Sequence, residues 1–320
     1  MADKPFIIAL EEHYHDPEVR AKFEGFDRGL PPGIRARLDD VGAARLADMD
    51  AAGIDVQVLS HAAPSVQRME PGIAVPLARA ANDRLAQTVR EHPTRFAGFA
   101  ALPTTDPAAA AAELERAVTS LGFKGAMIHG LSAGNLFHDD KRFWPIYERA
   151  QALDVPIYLH PAWPHPAVVE AYYKDYLRDW PTFPIEGWGF AVETATQGLR
   201  MVLSRVFDTY PGLKIILGHL GEGLPFYLWR INHSLSRFSK QANYVGDMFR
   251  EHFWVTTSGF FSDPALACCI AEMGIDRVMF SVDYPYVENR PGADWVETLP
   301  LAPDDKVKVM SGNARRLLKM

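Results

Sequence analysis

The chain has 320 residues, 48% of them hydrophobic and 23% charged, the make-up of a globular protein with ample core. A formal net charge of -7 and the lack of any Lys/Arg stripe exclude nucleic acid as a partner. The two cysteines, Cys268 and Cys269, are adjacent and exclude a disulfide-stapled secreted fold. With no apolar run near the length of a membrane span and no signal peptide before Phe6, the expectation is a cytoplasmic protein without a membrane partner.

The first predicted strand, Phe6–His13, ends in Glu11-Glu12-His13. Strand side chains alternate between faces, so Glu11 and His13 point the same way, two ligands suited to a borderline metal. A helix over Val41–Ala52 leads to a second strand, Val56–His61, ending in His61. Helix Ala74–Glu91 is followed by strand Phe96–Pro103. Asp106-Pro107 then opens a helix running to Gly122, with a carboxylate cap and Pro at the first position. Strand Lys124–Gly130 carries His129, helix Lys141–Leu153 follows, and strand Pro156–Pro161 carries His160. Helix Phe190–Tyr210 precedes strand Lys214–Gly221, which ends near His219. Glu222 opens the next helix, Glu222–Ser239, which also carries Arg230. Strand Phe253–Gly259, helix Pro264–Met273, strand Arg277–Tyr284 with Asp283, and helix Pro303–Leu318 complete the series. Most of these strands are near-continuous apolar runs, as in a parallel sheet buried on both faces. Eight strand–helix units favour closure into an α/β barrel, spanning 1–320 as one domain. Two long connections stand out, His15–Asp40 and the aromatic-rich Ala162–Gly189.

Glu11, His13, His160 and Asp283 all sit at predicted C-terminal strand ends, where barrel active sites lie. Two imidazoles and two carboxylates suit one divalent metal ion, Zn2+ or Mn2+. His219 and Glu222 can form an acid–base pair, although a carboxylate there could equally serve a helix N-terminus. His129 and His61 are candidate substrate contacts or a second layer behind the ligands. The remaining histidines, His15 and His138 among them, carry no assignment.

Leu10-Glu11-Glu12-His13, Tyr158-Leu159-His160-Pro161, Leu217-Gly218-His219-Leu220-Gly221-Glu222 and Phe280-Ser281-Val282-Asp283-Tyr284-Pro285 resemble the amidohydrolase-related (amidohydrolase 2) decarboxylases. The likeness is nearest to the γ-resorcylate (2,6-dihydroxybenzoate) decarboxylases and extends to Gly312-Asn313-Ala314-Arg315. The resemblance implies an amidohydrolase-type (β/α)8 TIM barrel with one divalent metal held by Glu11, His13, His160 and Asp283. It places His219 and Glu222 on the acid–base pair, Arg230 on a substrate-carboxylate position, and Asp283 as donor of a proton to the ring carbon that bears the carboxylate. Glu-Glu-His in place of the His-x-His of hydrolytic relatives favours a decarboxylase of a small hydroxylated aromatic acid. A metal-dependent hydrolase of a lactone or activated ester is the alternative, since barrel and ligands serve both reactions. Strand four departs from the family with His129, where these decarboxylases often carry Asn. The resemblance also implies a homodimer or homotetramer. The aromatic content of Ala162–Gly189 points to that loop, or His15–Asp40, meeting the neighbouring chain near the site mouth, the alternative being that both loops fold over their own barrel as lids.

Overall fold

The computed structural model describes residues 5–23 and 29–320, so part of the connection His15–Asp40 lies outside the described residues. Its strands are β1 (Ile8–Tyr14), β2 (Val56–His61), β3 (Phe96–Gly98 and Ala100–Ala101), β4 (Ala126–His129), β5 (Ile157–His160), β6 (Ile215–Leu217), β7 (Phe253–Thr256) and β8 (Val278–Met279). Every neighbouring pair is parallel. The break in β3 falls at Phe99. There the chain leaves β2, with Phe99 N–H donating to the Leu59 carbonyl, and joins the edge before β4, with Ala100 N–H donating to the Gly125 carbonyl, each at 2.9 Å. The two pieces of β3 thus link a three-stranded and a six-stranded sheet into the eight-stranded barrel.

The last strand meets the first largely through side chains. Glu12 accepts from Val282 N–H at 2.9 Å and from Tyr284 N–H at 3.1 Å, and the His13 N–H donates to the Tyr284 carbonyl at 2.7 Å. The register of β1 against β2 slips between Ala9 and Glu12, a bulge at the step where the carboxylates begin. Alternation sorts the apolar residues. Ile8, Leu10, Val58, Phe99, Met127 and Ile216 fill the barrel. Ile7, Ala9, Leu59, Ile128, Leu159 and Leu217 face the surrounding helices. Nearly every strand residue is buried, which is why these runs lack polar alternation.

The helices follow the expected order with corrections. Asp106 caps helix Pro107–Thr119 by accepting from Ala109 N–H at 3.0 Å. The long helix expected over Phe190–Tyr210 breaks into Gly189–Leu203 and Val206–Thr209 at Arg205, whose φ is 66°. Glu222 does not open a right-handed helix. Residues 219–223 all have positive φ, and the regular helix begins at Leu224. Several helices among the described residues lie outside the expected series, the short Pro17–Arg20, Pro32–Leu38 and Pro166–Val168 in the two long connections and two longer ones. Tyr244–His252 was hidden by its shortness, and Asn289–Thr298 by Pro291 and Gly292 in its first turn. Among the described residues, no helix is long and apolar enough to cross a membrane.

Candidate active site

Glu11, His13, His160 and Asp283 converge at the carboxyl ends of the strands, with one ligand atom of each within 4.8 Å of all the others. His13 Nε2 lies 3.2 Å from Asp283 Oδ1 and 4.0 Å from Glu11 Oε1, and His160 Nε2 lies 3.1 Å from the same Glu11 oxygen. Glu11 Oε1, His13 Nε2 and Asp283 Oδ1 are buried without any hydrogen-bond partner. Such atoms are costly unless something binds them. Two carboxylate oxygens and two imidazole nitrogens aimed at one point fit a divalent cation, and the chemistry of the set suits Mn2+ or Zn2+.

Supporting groups set the aim of each ligand. The second oxygen of Glu11, Oε2, accepts from Tyr158 Oη and Ser258 Oγ, and Thr256 Oγ1 is 2.5 Å from the same phenol. Ser60 Oγ lies 3.2 Å from His13 Nδ1, which leaves Nε2 for the cluster. Burial alone would raise the Glu11 pKa, but His219, His160 and His13 around it hold it well below the usual carboxylate range. Burial and the adjacent Glu11 push the Tyr158 phenol far up, so it stays a hydrogen-bond donor. Its neighbour Glu12 belongs to the seam between first and last strands, and burial pushes its carboxyl up to about 8. Tyr158, Ser258, Ser60 and Glu12 escaped the sequence reading, because their partners are remote in the chain.

His219 and Glu222 pair as expected, with Nδ1 to Oε1 at 2.8 Å. His219 Nε2 then looks into the cluster, 3.7 Å from Asp283 Oδ2 and 3.8 Å from Glu11 Oε1. Desolvation works against its charge, yet Glu222, Glu11 and Asp283 raise its pKa well above the ordinary imidazole value. The turn that carries the pair is left-handed, with Leu220 at φ 53° and ψ 41° and Gly221 at φ 78° and ψ 23°. Asp283 is likewise held at φ 73°. Backbone strain at both His219–Glu222 and Asp283 is of the kind found in functional loops.

The other candidates are not brought to the cluster in the same way. His129 is buried, with Nδ1 3.0 Å from His160 Nδ1, so it stands behind a ligand. His61 packs edge-on against Tyr14 with ring centroids 5.4 Å apart and lies 5.8 Å from the ring of His15. His61 Nε2, both nitrogens of His15 and Tyr14 Oη are buried without hydrogen-bond partners. Burial lowers the pKa of His15 to about 3 and of His61 to about 4, so both rings are neutral. His15 had no signal in the sequence beyond its place two residues after His13. Arg230 is exposed on helix Leu224–Leu235, beside exposed Phe226, Tyr227 and Trp229.

A model of the amidohydrolase family matches residues 13–320. The γ-resorcylate decarboxylase of Polaromonas sp. is 43% identical over 98% of both chains. A crystal structure of a dihydroxybenzoic acid decarboxylase from Polaromonas sp., with bound manganese and the inhibitor 2-nitroresorcinol, is 42% identical. It superposes with a TM-score of 0.91 over 99% of this chain and 97% of that one. The 5-carboxyvanillate decarboxylase of Novosphingobium aromaticivorans, solved with manganese and 4-hydroxy-3-methoxy-5-nitrobenzoic acid, is 30% identical. Its TM-score is 0.90 over 100% of this chain and 97% of that one.

Proposed function

The chain belongs to the amidohydrolase family, and from that premise we propose that it removes CO2 from an ortho-hydroxybenzoate by protonating the ring first, with Asp283 as the proton donor. It is a carboxy-lyase of a hydroxylated aromatic acid, in keeping with its full-length decarboxylase relatives. A divalent ion held by Glu11, His13, His160 and Asp283 would supply Lewis-acid charge for the substrate's carboxylate and neighbouring hydroxyl oxygen. Direct loss of CO2 would leave an aryl anion. A proton delivered to the carbon bearing the carboxylate avoids it. The carbon–carbon bond then breaks, CO2 departs, and the bonding pair restores the aromatic ring.

The observation that carries this reading is the two-sidedness of Asp283. Oδ1 faces His13 at 3.2 Å and Oδ2 faces His219 Nε2 at 3.7 Å. With Oδ1 turned to the ion site, the transferable proton belongs on Oδ2, which hands it to the ring carbon and can regain it from the His219 imidazolium, with Glu222 holding that imidazole in place. Asp283→Asn keeps the shape but removes the transferable proton. It is expected to fold and to lose turnover by about a thousandfold or more. Activity within tenfold of the parent would remove Asp283 from the donor role. Release of CO2 from 2,6-dihydroxybenzoate, with no opening of a lactone panel, separates this reaction from metal-dependent hydrolysis.

The unpartnered Nε2 of His61 supports a place for that residue in the wall of the substrate pocket. A homodimer or homotetramer is supported by Ala162–Gly189, where Tyr172, Tyr176, Trp180 and Trp188 are each more than half exposed. Sedimentation is expected to show a species heavier than 35.7 kDa, lightened by Trp180→Ala. A parent that sediments as a monomer at micromolar concentration would refute the assembly. The free thiols of Cys268 and Cys269 are consistent with a reducing, cytoplasmic compartment.

A further inference from the structure

Behind the ligand His160 stands a second imidazole that the four-residue cluster does not need. His129 and His160 are register partners across β4 and β5. His129 is 2% exposed, and the two rings meet edge to face with centroids 4.8 Å apart at 74°. Their Nδ1 atoms are 3.0 Å apart.

The hydrogens on these rings can be placed by elimination. His160 Nε2 faces the cluster beside Glu11 Oε1, so it must offer a lone pair to a cation, and the ring hydrogen sits on Nδ1. That hydrogen has two acceptors in reach, the Pro161 carbonyl at 2.6 Å and His129 Nδ1 at 3.0 Å. Two hydrogens cannot share a 3.0 Å line between nitrogens, so His129 Nδ1 is bare and its own hydrogen is on Nε2. The His129 ring is also 6.3 Å from the His13 ring, so it is packed against two of the four cluster residues at once. Gln67 fixes the same residue from the main chain, its Oε1 accepting from His129 N–H at 2.7 Å.

We infer that His129 is a positioning residue, which accepts from His160 Nδ1–H, is held at its main chain by Gln67, and so fixes the tautomer and ring plane with which His160 meets the metal. Its contribution to the reaction runs through His160, not through contact with substrate. The inference rests on the reading of the cluster as a metal centre. It adds a residue outside that cluster, whose loss is felt first in how tightly the ion is held.

The test uses the full-length protein and Mn2+, with affinity read by competition against a chelator and by the signal of free Mn2+. The parent is titrated first; failure of the parent to bind Mn2+ would refute the metal centre itself and so separates the two claims. His129→Leu removes the acceptor for His160 Nδ1–H and is expected to weaken Mn2+ binding about 10- to 100-fold. At saturating Mn2+, its KM for 2,6-dihydroxybenzoate should stay within about threefold of the parent. His129→Asn keeps an acceptor and a donor on a shorter side chain and should recover most of the affinity. Unchanged Mn2+ affinity in the Leu variant with a tenfold rise in KM would overturn the inference and make His129 a substrate contact. Should the Leu variant fail to fold, nitrogen NMR of the histidine-labelled parent decides. A His129 ring protonated at Nε2 supports the arrangement; one protonated at Nδ1 overturns it.

Discussion

Glu11 presents one oxygen to the cluster because the other is already taken by Tyr158 and Ser258. A carboxylate free to rotate could present either oxygen and would lose entropy on binding an ion. One pinned on its far side has lost that freedom on folding. Ser258→Ala is therefore expected to keep the barrel and to weaken Mn2+ binding about tenfold, read by chelator competition. An unchanged affinity would show that Tyr158 alone suffices. Gly218 belongs to the same arrangement, since a Cβ there would stand 2.6 Å from the pinned oxygen of Glu11. At this scale the ligands were legible in the sequence and their supports were not. Glu11, His13, His160 and Asp283 announce themselves as charged or basic residues ending apolar strands. Tyr158 and Ser258 both read as residues of apolar strands, and only closure of the barrel brings them to a carboxylate 147 and 247 positions away.

Among the elements, the turn 219–223 departs most from the sequence reading, which took Glu222 as the start of a helix. A left-handed run costs about 1–2 kcal/mol per non-glycine residue. Here it is tolerated because Gly221 and Gly223 take two of the five positions, on either side of Glu222. The spacing Gly218-His219-Leu220-Gly221-Glu222-Gly223 was visible, but nothing in a periodicity argument says that the glycines mark positive φ. A right-handed turn would send His219 and Glu222 along a helix face; the left-handed one brings Nδ1 and Oε1 to 2.8 Å with Nε2 facing Asp283. The two glycines should differ on substitution. At Gly221 an added Cβ meets Pro225 Cδ and Val255 Cγ1, both at 2.9 Å, while at Gly223 it meets nothing within 4 Å. Gly223→Ala should then cost about 1 kcal/mol in urea unfolding, the backbone term alone. Gly221→Ala should cost clearly more and also lower kcat. Equal costs would mean that the packing around Gly221 yields freely.

For the molecule as a whole, buried neutral histidines set the acid limit. His138 packs on Phe143 with centroids 4.5 Å apart, and burial lowers its pKa to about 3 from an ordinary 6.5. Below pH 6.5 the unfolded chain takes up a proton at this site and the folded chain does not. Its contribution is thus complete above that pH and is lost as pH falls toward 3. Between pH 6.5 and 5 the loss from this one group is about 2 kcal/mol. Urea unfolding at pH 7.5 and pH 5 should show the parent losing more stability than His138→Gln by about that amount. A parent and variant with the same pH slope would refute the assignment. The barrel itself was legible from eight apolar runs, but its means of closure was not. Glu11 and Glu12 are consecutive, one turned to the ion and one stitched to the amides of Val282 and Tyr284, on either side of Asp283. Both sides of the fold's last junction therefore carry a member of the four-residue cluster. An ion held there would rivet a junction that Glu12 and the His13 N–H already stitch, and by mass action it would add about 2.7 kcal/mol at a hundred times its dissociation constant. A melting temperature measured on this protein is thus a statement about its metal content as much as about its sequence.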